Sequence, residues 1–307
     1  MTEELNKIKK DTRNRAQYFQ MVHAWPLNDK LDYEGWLNNF KNNSDLEIAC
    51  LIIDFFLYYS SNMVDEMLKT SIGNAGHHLS KMIKDWMHLD FVNKCYYSFI
   101  PGENPNPTDS GHIFTRKLRD VLEIPENRII NYSDIAITLS EAKEKKPVIL
   151  VDDFVGSGSQ CIKAWNHNKF VYNNKTLKEI SESDGHIFIY APLIVNKIGF
   201  ERIRHFCSEL IMTPTHIMGS EYNLFNKNCF CWKNDEDLFK RGTELIIRKS
   251  RELGIPFTNG QHMQDVRGFG EQGLAIAFEH GAPDAIPSFF YWCADNWTPL
   301  IKKTYTR

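Results

Sequence analysis

The stretch that most restricts the fold is PVILVDDFVGSGSQ, residues 147–160. An apolar run without polar alternation is what a parallel strand buried on both faces requires. This one ends in two adjacent carboxylates, Asp152 and Asp153, and open α/β sheets bind ligands at the carboxyl ends of their strands. The Gly/Ser turn that follows leads into a predicted helix. Glycines there let main-chain N–H groups approach an anion, hydroxyls of Ser157 and Ser159 add donors, and a helix N-terminus adds positive potential. A side chain at Gly158 is expected to fill the anion's space and to oppose a turn with positive φ. A P-loop is excluded because no Lys follows the glycines, and the dinucleotide fingerprint fails because its third Gly is missing.

The flanking sequence supplies the rest of a parallel sheet. NKCYYSFI, PVILVDD, HIFIYAPLIV and ELIMTPTHI read as strands, and RIINYSD as a shorter one. GHIFTRKLRDVL, AITLSEAKEKK, the CIKAW region and IGFERIRHFC read as helices between them. GHIFTRKLRDVL takes Asp109 or Ser110 as its cap. Strands alternating with helices imply an open α/β fold. Residues 1–90 are expected to be a helical region, with IACLIIDFFLYYSSNMVDEML on one helix capped by Ser44 or Asp45. Residues 91–220 then form the α/β core, and 221–307 a Trp- and Pro-rich tail that closes over it as a hood.

Charge and cysteine content remove several classes. The 307-residue chain carries a net charge of −3, so no overall cationic field draws nucleic acid or acidic membranes. Its seven cysteines are few and odd in number for a secreted disulfide framework. The polar start MTEELNKIKKDTRNR lacks a signal-peptide core, and the greasy run Ile48 to Tyr59 is too short to span a bilayer. The expectation is a cytoplasmic protein with no membrane partner.

Two acids beside an anion cradle describe a ribose-5-phosphate site, with carboxylates accepting from the sugar hydroxyls. The segment resembles the phosphoribosyl-pyrophosphate motif of type I phosphoribosyltransferases. That resemblance implies that Asp152 and Asp153 contact the ribose hydroxyls and a Mg²⁺ ion, and that Gly156, Ser157, Gly158, Ser159 and Gln160 hold the 5′-phosphate. It implies a type I phosphoribosyltransferase-like parallel sheet with an N-terminal helical extension and a C-terminal hood. The motif departs from the family at Gly156, where an acidic base often stands, and at Gln160, where Thr is usual. WLNNF (Trp36 to Phe40), VDDFVGSGS and FEHGAPDAIPSFFYW…WTPL together look like phosphoribosyltransferase-like effectors of bacterial conflict systems, some encoded beside retron reverse transcriptases in phage defence.

The family's pyrophosphate loop corresponds to Asp109, Ser110 and Gly111, with Arg116 further along the helix. A capped surface helix is the alternative there. His280, beside Asp284, Trp292 and Trp297, is the best acid or base in the tail, where an imidazole titrates near neutrality, although tail aromatics are more often core. Cys229-x-Cys231 lacks zinc-finger spacing. Two functions follow. One is an enzyme acting at the anomeric carbon of a ribose-5-phosphate, with phosphoribosyl pyrophosphate as substrate and Mg²⁺ as cofactor, or a nucleotide N-glycosidase. The other is a catalytically silent nucleotide-binding module acting through a partner such as a retron reverse transcriptase with its DNA–RNA product. A homodimer is a further candidate assembly.

Overall fold

The computed structural model describes residues 3–27, 30–87, 90–102 and 110–302. In chain order the helices are α1 (Glu3–Met21), α2 (Tyr33–Leu37), α3 (Asn43–Phe55), α4 (Ser61–Met82), α5 (Asp90–Lys94), α6 (Ser110–Leu122), α7 (Ile135–Glu141), α8 (Ser159–Asn166), α9 (Leu177–Asp184), α10 (Lys197–Phe206) and α11 (Glu236–Glu252). The strands are β1 (Leu57–Tyr59), β2 (Tyr96–Phe99), β3 (Val148–Val155), β4 (Phe188–Asn196), β5 (Ile211–Met212), β6 (His216–Met218) and β7 (Ile276–Phe278). None of the described helices is long and apolar enough to cross a membrane.

The chain forms two compact units, divided differently from the three consecutive segments expected. One comprises residues 65–218, and the other joins both chain ends, 1–64 with 219–307. The first holds a five-stranded parallel sheet in the order β2-β3-β4-β5, with β6 also pairing β4. Val148 to Val151 are fully buried, as a central strand demands. Val148 and Leu150 point into a cluster that includes Ile135 and Leu139 of α7, Trp165 of α8, Ile180 of α9 and Ile203 of α10. The expected strand ELIMTPTHI is two short strands. β4 passes from β5 to β6 near Pro192, while Thr213 N–H donates to the Tyr190 carbonyl and Thr215 N–H to that of Leu193. RIINYSD makes only an isolated bridge, Ile129 with Tyr97, between two 3₁₀ turns.

In the other unit the single helix expected from residue 48 to 68 is broken. α3 is capped by Asn42, whose side chain accepts from Asp45 N–H, rather than by Ser44 or Asp45. It ends at Phe55, and the extended backbone of Phe56 leads into β1. β1 pairs in parallel with β7, Leu57 opposite Ile276 and Tyr59 opposite Phe278. Aromatic residues suit a strand once a partner satisfies their backbone, and that partner is more than two hundred residues away. Trp36 is buried among Phe40, Phe289, Phe290 and Trp297, so WLNNF and the tail share one aromatic core.

Candidate functional site

β3 carries the acids beyond the depth of the core and into partial exposure. Val151 is buried, while Asp152, Asp153 and Phe154 are half-buried. Strand alternation gives Asp152 the parity of Val148 and Leu150 and Asp153 that of Ile149 and Val151, so the two acids leave the strand on opposite faces. Asp152 is held on two sides. Its Oδ1 accepts from the Asp153 main-chain N–H at 2.9 Å, and its Oδ2 accepts from the Tyr190 hydroxyl at 2.5 Å. Asp153 Oδ1 accepts from Phe154 N–H at 2.9 Å. Burial first, then the Asp153 charge, push the Asp152 carboxyl well above the ordinary carboxylate range, against the opposing pull of the Tyr190 hydrogen bond. Burial and the Asp152 charge push the Tyr190 phenol up in turn, which keeps it a donor. A carboxyl group, ionised or not, has more acceptor positions than these two hydrogen bonds fill, so Asp152 retains room for a ligand hydroxyl.

The loop after β3 turns sharply at Gly158, whose φ of +74° lies in the left-handed region as expected. The space around it differs from expectation. A Cβ added at Gly158 would meet Ile203 Cγ1 at 2.9 Å and the Gly199 carbonyl oxygen at 3.0 Å, so packing against α10 restricts this position as well. Gly199 is the reciprocal contact: a Cβ there would lie 2.2 Å from the Gly156 carbonyl oxygen. Two glycines thus bring the loop and α10 into backbone contact. Only Gly158 stands out in the sequence, because Gly199 lies inside an ordinary helical pattern.

α8 starts at Ser159. Ile162 N–H donates to the Gly158 carbonyl, while the main-chain N–H groups of Gly158, Gln160 and Cys161 meet no acceptor among the described residues. These are the donors that the first turn of a helix leaves open, and they favour an anion. Ser157 Oγ donates to Ser159 Oγ at 3.1 Å. The Gln160 amide donates to the carbonyls of Ile100 at 3.3 Å and Pro101 at 2.8 Å, tying the segment after β2 to the start of α8. Its side chain is therefore engaged with protein, and its main-chain N–H is the group that faces the anion question.

Two side chains that sequence reasoning missed complete the site: Tyr190, two strand positions before Pro192 on β4, and Arg202 on α10. Arg202 Nη1 donates to the Ser157 carbonyl oxygen at 2.5 Å and to Ser159 Oγ at 3.1 Å. Neither residue lies near the motif in sequence.

The remaining predicted residues sit as follows. Ser110 and Gly111 open α6, so Ser110 is its first residue rather than its cap, and Asp109 lies outside the described residues. Gly111 is packed on Phe99 so closely that an added Cβ would fall 2.1 Å from the ring. Arg116 is exposed, pairs with Asp120 at 3.2 Å, and lines a cleft of about 470 Å³ with Arg119, Glu126 and Ile129. His280 belongs to the other compact unit, its ring stacked on Phe278, which stacks on Tyr59. The sheet therefore assembles Asp152, Asp153 and the Gly156–Gln160 loop within one unit.

Two adjacent carboxylates are hard oxygen donors suited to Mg²⁺, which takes most of its remaining ligands from water and substrate phosphates. Among the described residues no group of three or more His, Cys, Asp or Glu converges as a closed metal cage. As hard oxygen donors, the two carboxylates are of the kind that Mg²⁺ takes.

No curated protein and no solved structure gives a match to the chain. A family model does match, PRTase-CE, over residues 33–303, taking in the aromatic core of Trp36, the β3 motif and the C-terminal segment. With most of its length inside that match, the chain belongs to the phosphoribosyltransferase-like PRTase-CE family.

Proposed function

We propose that the chain binds a ribose-5-phosphate unit at the end of β3 and acts at its anomeric carbon. One observation carries the reading. Toward the carboxyl end of a parallel strand, two carboxylates stand two residues before a loop with a left-handed turn at Gly158, and the N–H groups of Gly158, Gln160 and Cys161 have no acceptor among the described residues. Asp152 and Asp153 accept from the sugar hydroxyls, and the loop from Gly156 to Gln160 takes the 5′-phosphate. Membership of the PRTase-CE family supports phosphoribosyl transfer as the chemistry.

In transfer, the bond from C1 to the diphosphate oxygen breaks and a bond from the acceptor nitrogen to C1 forms. The diphosphate leaves with the bonding pair, and the acceptor's proton goes to solvent. In nucleotide cleavage, water attacks C1, the N-glycosidic bond breaks with its electron pair going to the base, and the proton lost by the water is balanced by one gained by the departing base. Both pass through an oxocarbenium-like sugar, whose positive charge the two carboxylates stabilise electrostatically. Asp152 and Asp153 would hold a Mg²⁺ ion, which would supply charge neutralisation for the leaving group. With Gly156 where an acidic base often stands, rate depends on positioning more than on proton abstraction.

The test mixes the protein with phosphoribosyl pyrophosphate, Mg²⁺ and a nucleotide panel, and follows diphosphate and free base. Turnover that disappears in the Asp152→Asn, Asp153→Asn double variant supports the enzyme. Binding of ribose-5-phosphate without turnover supports the silent module. Absence of binding in calorimetry refutes the site. We extend the proposal to a toxic effector role in phage defence, restrained by a retron-type ribonucleoprotein, on the resemblance of the aromatic N-terminal, central and C-terminal segments to conflict-system effectors. Expression of the chain alone should then arrest growth, and Asp153→Ala should relieve it. Normal growth with abundant soluble protein, in infected and uninfected cells, refutes that role.

A further inference from the structure

Arg202 is unusual among the arginines of this chain. Arg15, Arg119, Arg241, Arg248 and Arg267 are each within ion-pair distance of a carboxylate. Among the described residues no carboxylate lies within that distance of Arg202, and no aromatic ring lies beneath it. The acids that share a cleft of about 640 Å³ with it are engaged elsewhere. Glu179 accepts from the Thr176 main-chain N–H at 2.7 Å in the capping box of α9, and Glu182 faces Lys178 at 3.7 Å.

What Arg202 does touch is the loop. Both of its hydrogen bonds run from Nη1, to the Ser157 carbonyl and Ser159 Oγ, which leaves Nη2 and Nε with no partner among the described residues. A half-buried guanidinium is thus pinned beside open main-chain donors at the start of α8. Guanidinium binds phosphate oxygens through planar, paired donors, and its charge strengthens each bond. A cation with no acidic partner also keeps its full attraction for an incoming anion. The contact exists because Gly199 lets α10 approach the loop, which brings Arg202 level with it.

We propose that Arg202 is the cationic residue that binds the 5′-phosphate, and that it makes the site select a phosphorylated ribose over the free pentose. This rests on the phosphoribosyl reading above and adds the source of its charge selectivity.

Calorimetric titration with ribose-5-phosphate tests it in the parent, Arg202→Gln and Arg202→Lys, each at low and high salt. Arg202→Gln should weaken binding about 10–100-fold at low salt, the loss expected for charge-assisted hydrogen bonds. Arg202→Lys should recover part of it. The parent should lose affinity with added salt more steeply than Arg202→Gln, because only the parent keeps the screened contact. A purely structural hold on Ser157 predicts the same loss at every salt concentration, and that result overturns the proposal. So does Arg202→Gln binding as tightly as the parent. If the parent itself fails to bind ribose-5-phosphate, the phosphoribosyl reading is refuted and the Arg202 role with it; the two failures are therefore distinct.

Discussion

Gly199→Ala is the sharpest test of how the site is built, because one methyl group tests the contact between α10 and the anion loop. The new Cβ would stand 2.2 Å from the Gly156 carbonyl oxygen and 3.1 Å from the Gly158 nitrogen. Carbon and carbonyl oxygen approach only to about 3.3 Å even in favourable C–H···O contacts, so the shortfall is about 1 Å. Both of these atoms are backbone, so no side chain can turn aside. The loop and α10 must part, which costs about 1–3 kcal/mol as overpacking does. Replacing Gly by Ala in a helix returns up to about 1 kcal/mol, less in the first turn where Gly199 lies. The net loss is about 1–2 kcal/mol, or about 2–8 °C in melting temperature for a unit of this size. Ligand affinity should fall as well, since hydrogen bonds weaken when their donors move by about 1 Å. Thermal melting and ribose-5-phosphate calorimetry measure both. A variant that melts at or above the parent and binds equally well would refute the packing argument.

Other outcomes follow from the same geometry. Gly73→Ala, in the interior of α4 with nothing within 4 Å of the new Cβ, should raise stability by about 0.5–1 kcal/mol and leave ligand binding alone; a fall in melting temperature would contradict it. Asp152 has its carboxyl raised in the folded state, so the native protein holds that proton at pH values where the unfolded chain has lost it. Stability should therefore decline as pH rises from the ordinary carboxylate range through the raised folded value, and Asp152→Asn should flatten that decline. The Tyr190 hydroxyl can turn to accept from the new amide, so the fold should survive. If the stability of the two proteins changes in parallel across the weakly acidic to neutral range, this account fails. Trp36→Ala should destabilise by about 3–5 kcal/mol, because it empties the ring cluster joining residues 33–40 to the tail. A loss under about 1 kcal/mol in denaturant unfolding would show that the two chain ends do not depend on that core.

The α/β class, β3 and the acid–glycine order were legible because each depends on local chemistry. PVILV has no polar residue to spare for solvent, and a Gly-Ser-Gly turn after two acids restricts the backbone within a few positions. Elements whose stability comes from distant partners were not legible. FFLYY carries apolar residues that fit a helix face or a strand equally well, and β7 decides between them by accepting β1 into a ladder. The union of both chain ends into one unit likewise depends on Trp36 meeting Phe289 and Phe290. At the site, the carboxylates and the loop were readable from the chain order alone, since they are near neighbours along it. What surrounds them came from the packing of segments distant in the chain. Tyr190 reaches Asp152 through strand register, and Arg202 reaches Ser157 because α10 packs on the loop through Gly199. Hydrogen bonds and charge act over a few ångströms of space whatever the distance along the chain, so side chains 38 and 45 residues from their partners became visible only once the chain was folded.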